Sequence, residues 1–140
     1  MMYDFCEHSD VTEDLADKLQ SILEDRNVDI EPYEKKPYAI SITDGDQVIG
    51  GVTGYSVWNW FYVSLIGVDA THQGNGFGKK LLSMVEEEAL KRKCCGIWLH
   101  TMSFQAPEFY ENNGFQVFGD MDDCPIEHKR IFYKKNLKVS

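Results

Sequence analysis

The sequence predicts a mixed α/β (α+β) fold, a single domain over residues 1–140 in which a mostly antiparallel central sheet of six to seven strands is flanked by helices. Three observations predict it. Short apolar runs of strand length are interrupted by segments of helical periodicity, in the order strand, helix, three strands, helix, strand, helix, two strands. A strand passes through Gly74, Gly76 and Gly78 directly into a helix, and the strand after that helix must run parallel to the one before it. With 140 residues the chain can bury the core of one domain and is too short for two.

Each element has its local reason. Residues 3–6 read as a short strand. A helix follows over 10–26, where Val11, Leu15, Leu19, Ile22 and Leu23 recur at helical spacing and Ser9 or Asp10 can cap the start. Residues 27–36 are polar and bounded by Pro32 and Pro37, so they read as a loop with room for one helical turn. Strands over 38–43 and 47–55 are joined by Asp44-Gly45-Asp46, a hairpin signal, and Gly50-Gly51 marks a bulge or a close backbone approach. The strand over 60–68 is apolar at nearly every position, which predicts burial on both faces.

The next helix carries Phe77, Leu81, Leu82, Val85 and Ala89 inward, with Glu86, Glu87, Glu88, Lys91 and Arg92 expected to face out. Its last turn gathers Lys91, Arg92 and Lys93, where the helix dipole favours cations. Gly96 opens a strand over 97–101. Pro107 suits the first turn of a short helix that ends at Asn112 or Asn113, with Gly114 as its cap. Strands over 115–119 and 130–135 complete the set, separated by an acidic stretch, Gly119-Asp120-Met121-Asp122-Asp123-Cys124, that reads as a loop.

Composition excludes several classes of function. A net charge of -9 and a pI near 4.8 argue against a nucleic-acid partner and favour a cationic one. No apolar run reaches the length of a bilayer span and no basic region precedes an apolar one at the N-terminus, so a cytoplasmic protein with no membrane partner is expected. Cys6, Cys94, Cys95 and Cys124 form no C-x-x-C pair and have no ligand spacing with His8, His72, His100 or His128. Buried or half-buried thiols are expected, and no metal site.

The stretch with chemical content is the glycine turn. A chain that leaves a buried strand through alternate glycines and enters a helix leaves amides of the first turn unpaired and aimed at one spot, which suits an anion. The spacing Gly74-x-Gly76-x-Gly78 lacks the dinucleotide fingerprint, and Lys79-Lys80 without a hydroxyl residue is not a P-loop. What remains, Gln73-Gly74-Asn75-Gly76-Phe77-Gly78, resembles the Q/R-x-x-G-x-G/A pyrophosphate-binding signature of the GNAT superfamily of acyl-CoA-dependent N-acetyltransferases. Downstream, Ala106-Pro107-Glu108-Phe109-Tyr110-Glu111-Asn112-Asn113-Gly114-Phe115 is similar to that family's A-x-x-F-Y-E-x-x-G-F segment. The element order matches the family layout, with one N-terminal helix fewer unless residues 27–36 supply it.

The resemblance implies transfer of an acetyl group from acetyl-CoA to a primary amine by direct attack in a ternary complex, on a sheet splayed between its fourth and fifth strands. It implies that main-chain groups of Ile66, Gly67 and Val68 meet the pantetheine arm. It also implies that the amides of Gln73, Gly74, Asn75, Gly76, Phe77 and Gly78 cradle the pyrophosphate, with Lys79 adding charge. Because that cradle is backbone, changes at Asn75 are expected to be mild and a bulky residue at Gly76 or Gly78 severe. Ser103 stands where many relatives place an Asn that touches the cofactor. The family's tyrosine falls on Tyr110, whose phenol holds a proton at neutral pH and would act as general acid toward the leaving thiolate.

The base departs from the family pattern. Relatives carry Glu or His at positions matching Tyr62 and Ser64, and neither residue is a good base. The amine's proton then leaves through water held by Tyr62, Ser64 or carbonyls, or reaches His100 at the end of the next strand. Asp69 reads equally as a loop cap and as a catalytic group. For the acceptor, Trp58, Asn59, Trp60 and Tyr62 with Asp122 and Asp123 are expected to form an aromatic wall with an acidic edge, suited to a cation; the tryptophans read equally as core or as a homodimer surface. The expected acceptor is a small cationic metabolite or antibiotic. A peptide or protein amine is the alternative within that chemistry, and a non-catalytic acyl-CoA-binding module the alternative outside it.

Overall fold

The computed structural model describes residues 2–138, in two compact units, Met1–Tyr33 and Glu34–Ser140. In the first, helix α1 (Glu13–Glu24) starts later than its periodicity suggested. Thr12, rather than Ser9 or Asp10, is the N-cap, accepting from the Leu15 amide at 3.3 Å, and Glu13 and Asp14 occupy the first turn. Residues 3–6 form no strand. Residues 27–35 are turns and irregular backbone.

The second unit holds β1 (Lys36–Asp44), β2 (Gln47–Val57), β3 (Trp60–Val68), α2 (Phe77–Lys91), β4 (Gly96–Met102), α3 (Pro107–Asn112), β5 (Gln116–Asp122) and β6 (Lys129–Asn136). The strands make one six-stranded sheet in the order β1-β2-β3-β4-β6-β5, antiparallel throughout except where β3 meets β4. Gly45 (φ 63°) turns the first hairpin as predicted; the second turns at Trp58-Asn59, with Trp58 itself at φ 52°. Close approach explains the strand glycine pair: a Cβ on Gly51 would overlap the Ile40 carbonyl oxygen, and one on Gly50 would sit 2.8 Å from that of Gly67.

Two irregularities of β3 shape the molecule. Thr53 of β2 pairs with Leu65 and Gly54 with Val63, so Ser64 is the extra residue of a bulge, its hydroxyl held by Thr53 Oγ1 at 3.0 Å. Ahead of the bulge Phe61 and Val63 face the core; beyond it the phase reverses, and Ile66 and Val68 pack against that core. The second irregularity is the pairing with β4, which runs only from Trp60↔Gly96 to Tyr62↔Trp98. After Tyr62 the two strands separate, and the second half of β3 has β2 on one side alone.

Helices α2 and α3 build the core on one face of the sheet, where Leu81, Leu82, Val85, Ala89 and Tyr110 meet Phe61, Val63, Ile97, Leu99 and Tyr133. Burial of β3 on both faces does not occur: Trp60 and Tyr62 are half-buried, and Ser64 and Leu65 are exposed. The thiols are also more varied than expected, since Cys94 is buried, Cys124 intermediate, and Cys6 and Cys95 exposed. Among the described residues no helix is long and apolar enough to cross a membrane.

Arg92 is another correction. It does not face out but clamps the end of α2 to the start of β1. Its guanidinium donates to Glu88 (2.8 Å), Ser56 Oγ (3.1 Å) and the carbonyls of Lys36 (2.6 Å) and Pro37 (3.1 Å), over the rings of Tyr38 and Phe61. Glu86 likewise turns sideways to Lys135 at 3.0 Å. Arg92→Met is expected to lower the unfolding free energy by about 2–3 kcal/mol, because several acceptors lose a charged donor together. A urea titration with an unchanged slope and an unchanged midpoint would contradict this.

Candidate active site

The opening between β3 and β4 leads into a cavity of about 460 Å³ lined by Ile66, Gly67 and Val68, by His72 and Gln73, by Gly74, Gly76, Phe77, Gly78 and Lys79, and by Ala106, Phe109 and Tyr110. Three separate stretches of chain thus converge on it. The strand wall exists because β3 has lost β4 as a partner, which leaves main-chain groups of its second half without a ladder on that side.

The floor is the start of α2. Gly76 is its N-cap in the left-handed region (φ 75°, ψ 13°) with no side-chain cap, and Gly74 also has positive φ (84°). A Cβ at either would meet no atom within 4 Å, so backbone conformation, not crowding, selects glycine there; Gly78 instead lies against the Phe109 ring, where a Cβ would come to 3.0 Å. The first helical bond of the turn runs from the Lys80 amide to the Gly76 carbonyl at 3.1 Å, so the amides of Phe77, Gly78 and Lys79 remain for another acceptor. Side chains brace the turn. Asn75 donates to the His72 carbonyl at 2.9 Å and Gln73 to that of Val68 at 3.3 Å. Asn75 does not line the cavity. Asp69 accepts from the Thr71 amide at 3.0 Å and caps the short turn Ala70–His72 that follows it.

Tyr110 enters from α3. Only 7% exposed, it packs edge-on to Phe109 and Phe115 and against Tyr133. Burial pushes its phenol above the ordinary value, so it is protonated at neutral pH. Among the described residues its hydroxyl has no hydrogen-bond partner.

On the opposite face of the sheet, at the base of the splay, Tyr62 Oη lies 3.0 Å from His100 Nε2. The sequence treated these two as separate routes for a proton; the structure joins them. Tyr62 also packs on Trp98 (ring centroids 4.3 Å apart) and Tyr55 (5.4 Å), and His100 on Phe132 (5.7 Å). Burial first, then the charge of Arg130, holds His100 below its ordinary value, which keeps the imidazole neutral near pH 7. Burial and Tyr55 raise Tyr62, against an opposing effect of Arg130.

The remaining candidates are dispersed. Ser103 lies outside the cavity, its hydroxyl accepting from the Lys129 amide at 2.9 Å. The aromatic wall with an acidic edge does not form. Trp60 is in register with Gly96 at one end of β4, whereas Asp122 pairs with Lys129 beyond Met102 at the other end, about 20 Å away. The stretch 120–122 is strand, not loop, because it pairs with β6, and Asp122 is engaged by Lys129 at 3.4 Å. Asp123 accepts from the Glu127 amide at 3.1 Å and closes the turn that follows. Sequence reasoning missed Trp98, Phe132 and Arg130. The parity of Trp98, His100 and Met102, and of Arg130, Phe132 and Lys134, was the available signal for one shared face.

A model of the acetyltransferase (GNAT) family matches residues 6–115, a range that contains both the glycine turn and the segment bearing Tyr110. The chain belongs to the GNAT family. An acetyltransferase of Agrobacterium fabrum is 39% identical over 89 residues, 63% of this chain and 65% of that protein. A blasticidin-S acetyltransferase of Streptomyces morookaense is 35% identical over 80 residues, 56% of this chain and 59% of that one. The matched segments thus span 65% and 59% of these relatives' own lengths. The crystal structure of an acetyltransferase from Bacillus cereus superposes with a TM-score of 0.81 at 26% identity, over 94% of this GNAT chain and 98% of the other. Its six-stranded, mostly antiparallel sheet with helices against it is the family's fold.

Proposed function

We propose that this chain is an acetyl-CoA-dependent N-acetyltransferase that modifies a primary amine of a small molecule by direct attack in a ternary complex. One juxtaposition carries it: the open edge of β3, the amides that begin α2 and the Tyr110 phenol line the same cavity. The residues fit such a cofactor, since positive-φ glycines leave the turn's amides uncovered and the space is of the size that ligand sites occupy. Acetyl-CoA, when bound, supplies the activated acetyl thioester. The amides of Phe77, Gly78 and Lys79 bind phosphate oxygens, with the Lys79 ammonium adding charge. The main chain of Ile66, Gly67 and Val68 orients the arm. Tyr110 holds a proton at Oη for the leaving sulfur.

The amine's own proton goes to the Tyr62–His100 pair. The neutral imidazole accepts from the Tyr62 hydroxyl as that oxygen takes the proton from the amine. Similarity to an enzyme named for blasticidin-S favours an acceptor of antibiotic size. The test is thiol release from acetyl-CoA with a panel of small amines. Turnover is expected, with kcat/KM falling on acidification only below about pH 6.5, because His100 must be neutral and its pKa is displaced downward. His100→Gln should abolish that acid limb. Binding of acetyl-CoA without thiol release for every amine would leave a non-catalytic acyl-CoA-binding module instead.

A further inference from the structure

The face that carries Tyr62 and His100 also carries a cation that the chemistry above does not use. Arg130 stands near the start of β6, in register with Met102 of β4 and Met121 of β5. Side chains alternate along β6. Ile131 and Tyr133 belong to the core on the α2 and α3 side, so Arg130 and Phe132 project to the other face, where Phe132 packs on His100.

Among the described residues no acid is paired with its guanidinium. Its two in-register neighbours are methionines, which offer no anionic acceptor. The acids of β5 are out of phase with it: Asp120 pairs with Ile131 and Asp122 with Lys129, which places both on the opposite face. Among the described residues Arg130 takes part in no ion pair, and its Nε is buried with no hydrogen-bond partner. A buried donor left unpaired is costly, and this chain, at net charge -9, has acids to spare. Arg130 is two residues from Phe132, which pairs with His100 and packs on its ring, so the cation stands on the same face one step along the strand from the Tyr62–His100 pair, and its charge acts to lower the pKa of both groups.

We propose that Arg130 binds a carboxylate of the acceptor, so that the acceptor is a zwitterion rather than a simple cation. This rests on the N-acetyltransferase reading and narrows its substrate class. With Nε covered, the two terminal Nη groups are the pair that a ligand carboxylate can meet in a bidentate way. A cation at this place repels an acceptor that is positive alone and attracts one whose carboxylate lies within reach of its amine.

The test uses the full chain saturated with CoA, with the His100 ring signals followed by NMR and assigned from the His100→Gln spectrum. Two matched pairs of probes differ only in the carboxylate: phenylalanine against phenethylamine, and β-alanine against ethylamine. The carboxylate member of each pair is expected to move the His100 signals saturably, with the carboxylate-free partner at least about ten-fold weaker. Arg130→Met should remove that preference, and Arg130→Lys should restore part of it, which separates loss of the charge from loss of the fold. Equal responses within both pairs, no response to either carboxylate, or an undiminished preference in Arg130→Met would overturn the proposal. Thiol release from acetyl-CoA is recorded on parallel samples. A carboxylate preference without thiol release for any amine would overturn the acetyltransferase reading and leave the anion site standing, and thiol release equally fast for both members of each pair would do the reverse.

Discussion

Tyr110→Phe is expected to lower kcat by about a hundredfold to ten-thousandfold while leaving the affinity for CoA nearly unchanged. The substitution removes one hydroxyl and keeps the ring that packs against Phe109, Phe115 and Tyr133, so the fold and the cavity wall survive it. On the proposed mechanism, what it removes is the proton held for the leaving sulfur. The sign of the pH dependence follows from the same burial. A phenol whose pKa is raised holds its proton through neutral pH, so activity that needs that proton is lost only as pH climbs through a value above about 10. In the variant this alkaline limb should be absent and the remaining rate low across the range. An unchanged rate at both high and low pH would remove Tyr110 from the chemistry.

Gly76→Val should act on binding instead. At φ 75° a β-branched side chain is strained by about 1–3 kcal/mol, and relief of that strain rotates the peptide that starts α2. The amides of Phe77, Gly78 and Lys79 then no longer converge, and the dissociation constant for CoA measured by calorimetry is expected to rise by about ten-fold to a hundred-fold. Asn75→Ala should cost less, about 0.5–1.5 kcal/mol, through loss of its bond to the His72 carbonyl. Equal CoA affinity in wild type and Gly76→Val would mean that the turn is not the phosphate site.

These two positions were both visible in the sequence, for the same reason. The glycine turn and the segment around Tyr110 are local: spacing within six or ten residues implies the backbone geometry, and α2 announces itself by the spacing of Leu81, Leu82, Val85 and Ala89. The parallel β3–β4 pair was legible too, because a helix between two strands of one sheet permits only that arrangement. Element ends were less so. Thr12 and not Asp10 caps α1, and β5 runs on through Asp122, because capping depends on side-chain reach and strand length on the partner alongside.

The sheet face that carries Tyr62 and His100 is where local signals stopped. Whether Trp60 and Asp122 share a wall depends on the register of four strands, and that register places them at opposite ends of the sheet. The Tyr62–His100 hydrogen bond joins residues 38 apart in the chain, and Arg130 reaches the same face from a strand that pairs with β4 only after the chain has passed through α3 and β5. Period and spacing along the chain therefore sufficed for the order of β1 to β6, α2 and α3 and for the local backbone of the glycine turn. Which residues face one another across the splay was a matter of strand register, the Ser64 bulge and the parity it reverses, since side-chain direction in a sheet changes with every single residue of offset.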